Sequence, residues 1–300
     1  MKKIIKARLC PALALMIALS FVCFALAPCA YAFDSTDNQM PAETETYTAG
    51  RSTQRSVRVF INGKLYEGTA FLKSSVTYVG IREFSMAMGV SHVSWDHSKK
   101  MATVSSDSLS LSAKMGDLFL TANGRYLWAG SGIIIKNGTM YVPLRTVAKA
   151  FGCSVSWKAS EFSAYVSGKG ALTAGDSFYN SDSVYWLARI IHAEAQGEPM
   201  LGKVAVGSVV LNRVKSPHYP STIYGVIFDR KNGVQFTPVS NGAIYCTPSK
   251  ESIIAAKLCL DGATISEKVL FFVNEALAQS SWVTDNRTFV VTVGNHKFYA

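Results

Sequence analysis

The sequence predicts an α+β protein in two folded parts, a small two-repeat α/β region followed by a larger α+β region. Three observations carry that expectation. The chain has 300 residues, more than the ~100–150 of an ordinary domain. One pattern of strand, helix and turn residues occurs twice between Val57 and Gly168. Beyond Asp182 the apolar residues fall at helical rather than strand spacing.

The chain opens with Lys2, Lys3, Lys6 and Arg8, an apolar run from Leu9 to Leu26, and then Ala30-Tyr31-Ala32. A positive start, an apolar core and an A-x-A site make residues 1–32 an export signal. The run nearly reaches the ~20 residues that cross a bilayer, so an uncleaved signal would be an N-terminal membrane anchor. Residues 33–56 are rich in Ser, Thr and acids, lack apolar periodicity and read as a flexible tether. Asp34, Asp37, Glu43 and Glu45 offset the four cations of the signal, so the net charge of +10 lies on the remainder. A basic exported body suits a polyanionic partner, which outside a cell means wall polymers or membrane surface and no nucleic acid. A surface charged for solubility accounts for the charge equally well. Cys10, Cys23 and Cys29 leave with the signal. Cys153, Cys246 and Cys259 stay, an odd number that allows one bridge, with Cys246–Cys259 the pair to test.

The repeat is explicit in the residues. Tyr78-Val79-Gly80-Ile81-Arg82, Met88-Gly89 and Val93-Ser94-Trp95 return as Tyr141-Val142-Pro143-Leu144-Arg145, Phe151-Gly152 and Val155-Ser156-Trp157. The offset is 63 residues early and 62 late. Each copy reads as a strand, a helix opened near Gly80 or Pro143, a glycine stop, and two strands joined by a polar turn. Leu144, Val147, Ala148 and Phe151 form the apolar stripe that packs the helix on the strands. Residues 57–168 resemble the stalk-type repeat domain named for the N-terminal region of copper amine oxidases. No metal is expected despite that name, because His92 and His97 have no partner cysteine before Cys153. The resemblance implies a spacing or wall-binding module, with cell-wall polymers as its partner. Residues 169–181 read as a second linker.

Asp182 or Ser183 can cap a helix that runs to about Gly197, where Pro199 prevents its return. Val184, Leu187, Ala188 and Ile191 form one apolar stripe, and Glu194 continues it. A carboxyl group moved into an apolar setting loses hydration, so its pKa rises and it can donate a proton near neutral pH. On spacing alone, pairing of Glu194 with a buried Arg189 or Arg213 is as good a reading.

The blocks from Leu187 to Pro199, Gly202, Val204-Ala205-Val206 and Val210 to Val214 closely resemble the spore-cortex-lytic cell-wall hydrolase family. The match resumes at Gln235 to Val239, Asn241-Gly242, Phe271-Phe272, Ser281-Trp282 and Gly294-Asn295-His296. It covers residues 182–300. The resemblance implies a lysozyme-like α+β catalytic domain and a lytic transglycosylase cutting between N-acetylmuramic acid and N-acetylglucosamine, on spore cortex or vegetative wall. It makes peptidoglycan glycan strands the substrate, requires no cofactor, and matches the catalytic glutamate to Glu194.

Glu198 is the obvious second carboxylate, but its place after Gly197 suits holding the helix end or the next loop. A lytic transglycosylase needs one acid/base alone. Met200 to Val214 is apolar nearly all round and reads as a buried central helix, with Asn212 and Arg213 as structural links or cleft residues. The polar loop at Gln235 to Gly242 suits a sugar groove, so Gln235, Phe236, Ser240 and Asn241 are substrate-binding candidates together with Glu198, and Trp282 stands either beside them or in the core. His192-Ala193-Glu194 fits half of a zinc-deaminase signature, but P-C-x-x-C is missing and the two side chains point apart on a helix. The alternative function is a non-catalytic wall-binding protein, against which a costly acid on an apolar stripe argues.

Overall fold

Both copies of the repeat fold as strand, helix and two strands. The computed structural model describes residues 55–300 except 171, 232 and 279. The signal segment and all but the last two residues of the tether lie outside the described residues. The first copy forms strand Val76–Gly80, helix Ile81–Ala87 and strands Val93–Asp96 and Met101–Ser106. The second forms strand Thr139–Pro143, helix Leu144–Ala150 and strands Ser154–Lys158 and Ser163–Ser167. Both helices stop the same way, because Gly89 and Gly152 adopt φ of +85° and +67°, a conformation that favours glycine. Val90 N–H and Cys153 N–H then reach back to Ser85 O and Ala148 O. An arginine at the second helical position fixes each helix to the strand after it. Arg82 donates to Val93 O at 3.2 Å and Arg145 to Val155 O at 2.5 Å.

The copies meet antiparallel through their first strands, Tyr141 opposite Gly80 and Pro143 opposite Tyr78. These two strands are the second and third of four longer ones in a five-stranded sheet, flanked by Ala70–Lys73 and Ile134–Lys136. Arg55 and Ser56, read as the end of the tether, form its edge strand opposite Leu72 and Phe71. A second sheet runs from Val93–Asp96 through Met101–Ser106, Leu109–Lys114 and Phe119–Ala122 to Arg125–Trp128. In a third, Ser163–Ser167 pairs parallel with Arg58–Ile61, joining the end of the region to its start. Val79, Phe84, Val142, Leu144 and Val147 are buried in the common core.

The C-terminal part has its own core, centred on helices Ser181–Ala195, Met200–Lys215 and Lys250–Leu260. The first helix buries Leu187, Ala188 and Ile191 of the expected stripe together with Ile190 and Ala195, while Val184 is half-buried. Its cap is Asn180, whose side chain accepts from Ser183 N–H at 2.8 Å, in place of the expected Asp182 or Ser183. Helix Met200–Lys215 is buried on nearly every side. A side chain at Gly207 would lie 2.6 Å from Cys259 Sγ, so glycine there allows close approach of helix Lys250–Leu260. Cys259 is a free, buried thiol, which corrects the expected Cys246–Cys259 pair. Its helix turns it into the core, and burial pushes its pKa up to about 12. Asn212 donates to Ser266 O and Val269 O, both at 2.9 Å, a structural link. A three-stranded sheet, Phe271–Val273, His296–Tyr299 and Phe289–Val293 in that order, completes this part.

The two cores meet directly, within one unit spanning Arg55–Ala300. Phe119, Tyr126 and Trp128 of the second sheet pack against the C-terminal core. Arg125 Nε donates to Asp261 at 2.7 Å, and Lys149 also pairs with that carboxylate. The Arg125 guanidinium lies 3.5 Å over the Phe178 ring. Residues 169–181 include a short helix, Gly175–Phe178. Gly175 N–H donates to Asn123 O at 2.8 Å, and a side chain at Gly175 would come within 2.4 Å of Gly124 O. No helix among the described residues is long and apolar enough to cross a membrane.

Candidate active site

Helix Ser181–Ala195 ends at the floor of a cleft of about 880 Å³. Its walls come from the loop at Val234 to Thr237, strand Phe271–Val273 with the loop after it, helix Trp282–Asn286 and the turn before His296. The helix therefore delivers Glu194, the last polar residue of its buried stripe, to the place where these segments converge.

Glu194 is half-buried and lines the cleft. Among the described residues nothing donates a hydrogen bond or forms an ion pair to it. Desolvation alone raises its pKa from 4.5 to about 7, so near neutral pH much of it keeps its proton. Neither arginine from the sequence reading is its partner. Arg189 stacks over the Tyr185 ring at 3.8 Å. Arg213 lines the cleft, but its Nε donates to Leu270 O at 2.8 Å and its guanidinium lies 5.1–5.4 Å from the rings of Tyr219, Phe236 and Phe271.

Glu198 also reaches the cleft wall, yet its carboxylate is engaged. Asn295 donates to it from its side chain at 2.9 Å and from its backbone N–H at 3.3 Å. His296 Nδ1 stands 3.5 Å away without hydrogen-bond geometry, and burial presses the His296 pKa down. A side chain at Gly294 would come within 1.7 Å of the Glu198 carboxylate, and Gly294 has φ +57°. Glycine is required there on both counts. Glu198 thus clamps the turn between the last two strands to the start of helix Met200–Lys215.

The other candidates divide. Gln235 and Phe236 line the cleft, Gln235 half-buried and Phe236 largely in the core 6.4 Å from Phe272. Trp282 stands at the rim, 50% exposed, with Arg287 over its ring at 4.7 Å. Ser240 and Asn241, the other two candidates of the polar loop, are not among the residues that line the cleft. They lie on helix Thr237–Asn241, where Ser240 donates to Thr237 O and Asn241 accepts from Ala243 N–H. Their polarity serves their own turn. His192 accepts from Ser249 N–H at 3.4 Å, with its pKa lowered by burial and by Lys203. Leu277 and Asn274 also line the cleft, and nothing in their local sequence marks them. A single protonated acid in a groove with aromatic and amide walls can donate to a leaving oxygen and take a proton back.

Comparison with known proteins finds the Cell Wall Hydrolase family over residues 197–299 and the Copper amine oxidase N-terminal domain over residues 60–166. The first match begins three residues past Glu194. Similar proteins include the spore cortex-lytic enzymes of Bacillus cereus, 35% identical over 40% of this chain and 45% of the relative, and of Bacillus subtilis strain 168, 34% identical over 40% and 38%. The chain spans less than half the length of these relatives. Among solved structures, the catalytic domain of the germination-specific lytic transglycosylase SleB from Bacillus anthracis is 34% identical. That match covers 41% of this chain and 97% of the other, with a TM-score of 0.37.

Proposed function

Since the C-terminal part of this chain belongs to the cell wall hydrolase family, we propose that the protein is an exported peptidoglycan-cleaving enzyme, a lytic transglycosylase with Glu194 as its single acid/base. The supporting observation is that Glu194, lining the cleft, has no hydrogen-bond or ion-pair partner among the described residues and a pKa raised to about 7 by burial. Protonated Glu194 donates to the oxygen bridging N-acetylmuramic acid and N-acetylglucosamine as the muramyl C1–O bond breaks. The resulting carboxylate faces the oxocarbenium-like sugar, then takes the proton of the muramyl 6-hydroxyl as that oxygen closes on C1. The product is a 1,6-anhydro ring, and no water is consumed.

The names of its relatives direct the reading to spore cortex during germination. Residues 1–32 provide export or a membrane anchor, residues 182–300 the catalysis, and residues 57–168 attachment to wall polymers. Digestion of purified cortex and vegetative sacculi by the full chain and by Glu194→Gln, followed by mass spectrometry, tests the reading. Anhydromuropeptides from the unsubstituted chain alone are expected. Reducing-end products would replace transglycosylation with hydrolysis, and peptide fragments would overturn the bond assignment.

A further inference from the structure

The repeat region holds two equivalent grooves, and each is completed by the other copy. One is lined by Arg145, Val155 and Trp157 of the second copy together with Val76 and Thr77 of the first. The other is lined by Arg82, Val93 and Trp95 of the first copy together with Thr139 and Met140 of the second. The repeat offset maps every one of these residues onto its counterpart. The exchange follows from the antiparallel pairing of the two first strands.

The grooves have diverged in ways that point to a ligand in one of them. The second-copy groove has a volume of about 610 Å³ and the first-copy groove about 160 Å³. The turn joining the last two strands of each copy has a left-handed residue at the same position, Lys100 with φ +50° and Phe162 with φ +48°. A lysine there points a flexible chain to water. A bulky aromatic in that conformation is uncommon and costs energy. Phe162 nevertheless lines the large groove, edge-on to Trp157 at 5.1 Å, with the Arg55 guanidinium 3.5 Å over its ring. Trp157 is left 38% exposed. The small groove instead contains Glu83, which has a buried oxygen without a hydrogen-bond partner among the described residues. Thr146, its counterpart, turns away to donate to Trp128 O at 2.8 Å. The large groove therefore combines two aromatic rings and a guanidinium, with no carboxylate among the described residues that line it.

We propose that this groove is a glycan subsite, in which a sugar ring of a peptidoglycan strand packs against Trp157 and Phe162 while Arg145 meets a carboxylate or acetamido oxygen of the same unit. Aromatic faces take the apolar face of a pyranose, and the planar guanidinium suits carboxylates. Residues 55–168 carry thirteen Lys and Arg against six Asp and Glu, which complements the acidic stem peptides of the strand. The site lies apart from the catalytic cleft and adds a second attachment to one polymer. Its occupant rests on the wall reading given above, while its location does not.

The test is co-sedimentation of the full chain with insoluble peptidoglycan stripped of teichoic acid. All variants carry Glu194→Gln so that binding is read without cleavage, and their melting temperatures are compared. Trp157→Ala is expected to weaken binding about five- to tenfold, as is Phe162→Lys, which installs the first-copy residue. Trp95→Ala should stay within twofold. Equal losses for Trp95→Ala and Trp157→Ala would make both tryptophans packing residues and overturn the proposal. Unchanged binding in Trp157→Ala and Phe162→Lys would overturn it too. Binding only to walls that retain teichoic acid would replace the glycan with a phosphodiester polymer. A subsite confirmed beside an unsubstituted chain that cleaves nothing would sink the enzyme reading alone.

Discussion

Two carboxylates of the C-terminal part are held away from bulk water on opposite terms. Asp261, at the junction with the repeat region, has a side chain 1% exposed and is met by both Arg125 and Lys149. Glu194, at the cleft, has no cation beside it among the described residues, and near neutrality much of it keeps its proton. Burial of a carboxyl can be met by pairing or by neutralisation, and the two outcomes serve different ends. The paired acid holds architecture, while the unpaired one is left free to exchange a proton.

The sharpest way to break this contrast is to remove each acid. Glu194→Gln keeps the shape and loses the proton, so cleavage should fall by ~10²–10⁴-fold with the fold intact, read as anhydromuropeptide release alongside circular dichroism. Asp261→Ala strands Arg125 in a buried site and should cost about 3 kcal/mol of stability, measured by urea denaturation. Its effect on cleavage by the surviving folded fraction should be small. If instead Asp261→Ala removes activity without destabilising, the junction acid is part of the chemistry and the contrast fails.

The pH dependence sharpens it further. The folded-state pKa of Glu194 lies above its unfolded value of 4.5, at about 7. Its protonated form therefore favours folding below pH 4.5, and that advantage is lost as pH rises through 7. Cleavage should decline above about pH 7 as the acid ionises, in initial rates taken from pH 5 to 9. The melting temperature of Glu194→Gln should exceed that of the unsubstituted chain at pH 8 and converge with it at pH 5. Smallest in effect, Asn180→Ala deletes the cap of the helix that carries Glu194 and should cost ~1 kcal/mol in thermal melts, with little change in rate.

The repeat and the helix stripe were legible in the sequence because both are local. Gly89 and Gly152 mark helix stops within their own turns, and Leu187, Ala188, Ile191 and Glu194 share a face by spacing alone. The cap was misplaced by two or three residues because Asn180, Asp182 and Ser183 can all accept from a helix start. The cleft walls depend on segments brought together from distant parts of the chain. Phe271, Leu277 and Gln235 have no shared periodicity, so only family resemblance pointed to some of them. Ser240 and Asn241 show that polar side chains in a loop can bond within their own turn, which their composition alone does not reveal. The junction was hidden for a related reason: Tyr126 and Trp128 sit on one strand with outward faces no different in pattern from those turned to water, yet they cover a second core.

The exchange of first strands also sets the size of the array. Because Val76–Gly80 and Thr139–Pro143 pair antiparallel and each has its outer edge taken by a neighbour, the contact that joins one copy to the other is used up by two. A third copy has nowhere to dock by the same contact, unlike the stacking of a solenoid, which accepts further units at either end. Lengthening this protein's reach would require a second complete pair on its own stem, and deleting one copy would leave its twin with half a groove and a bare sheet edge.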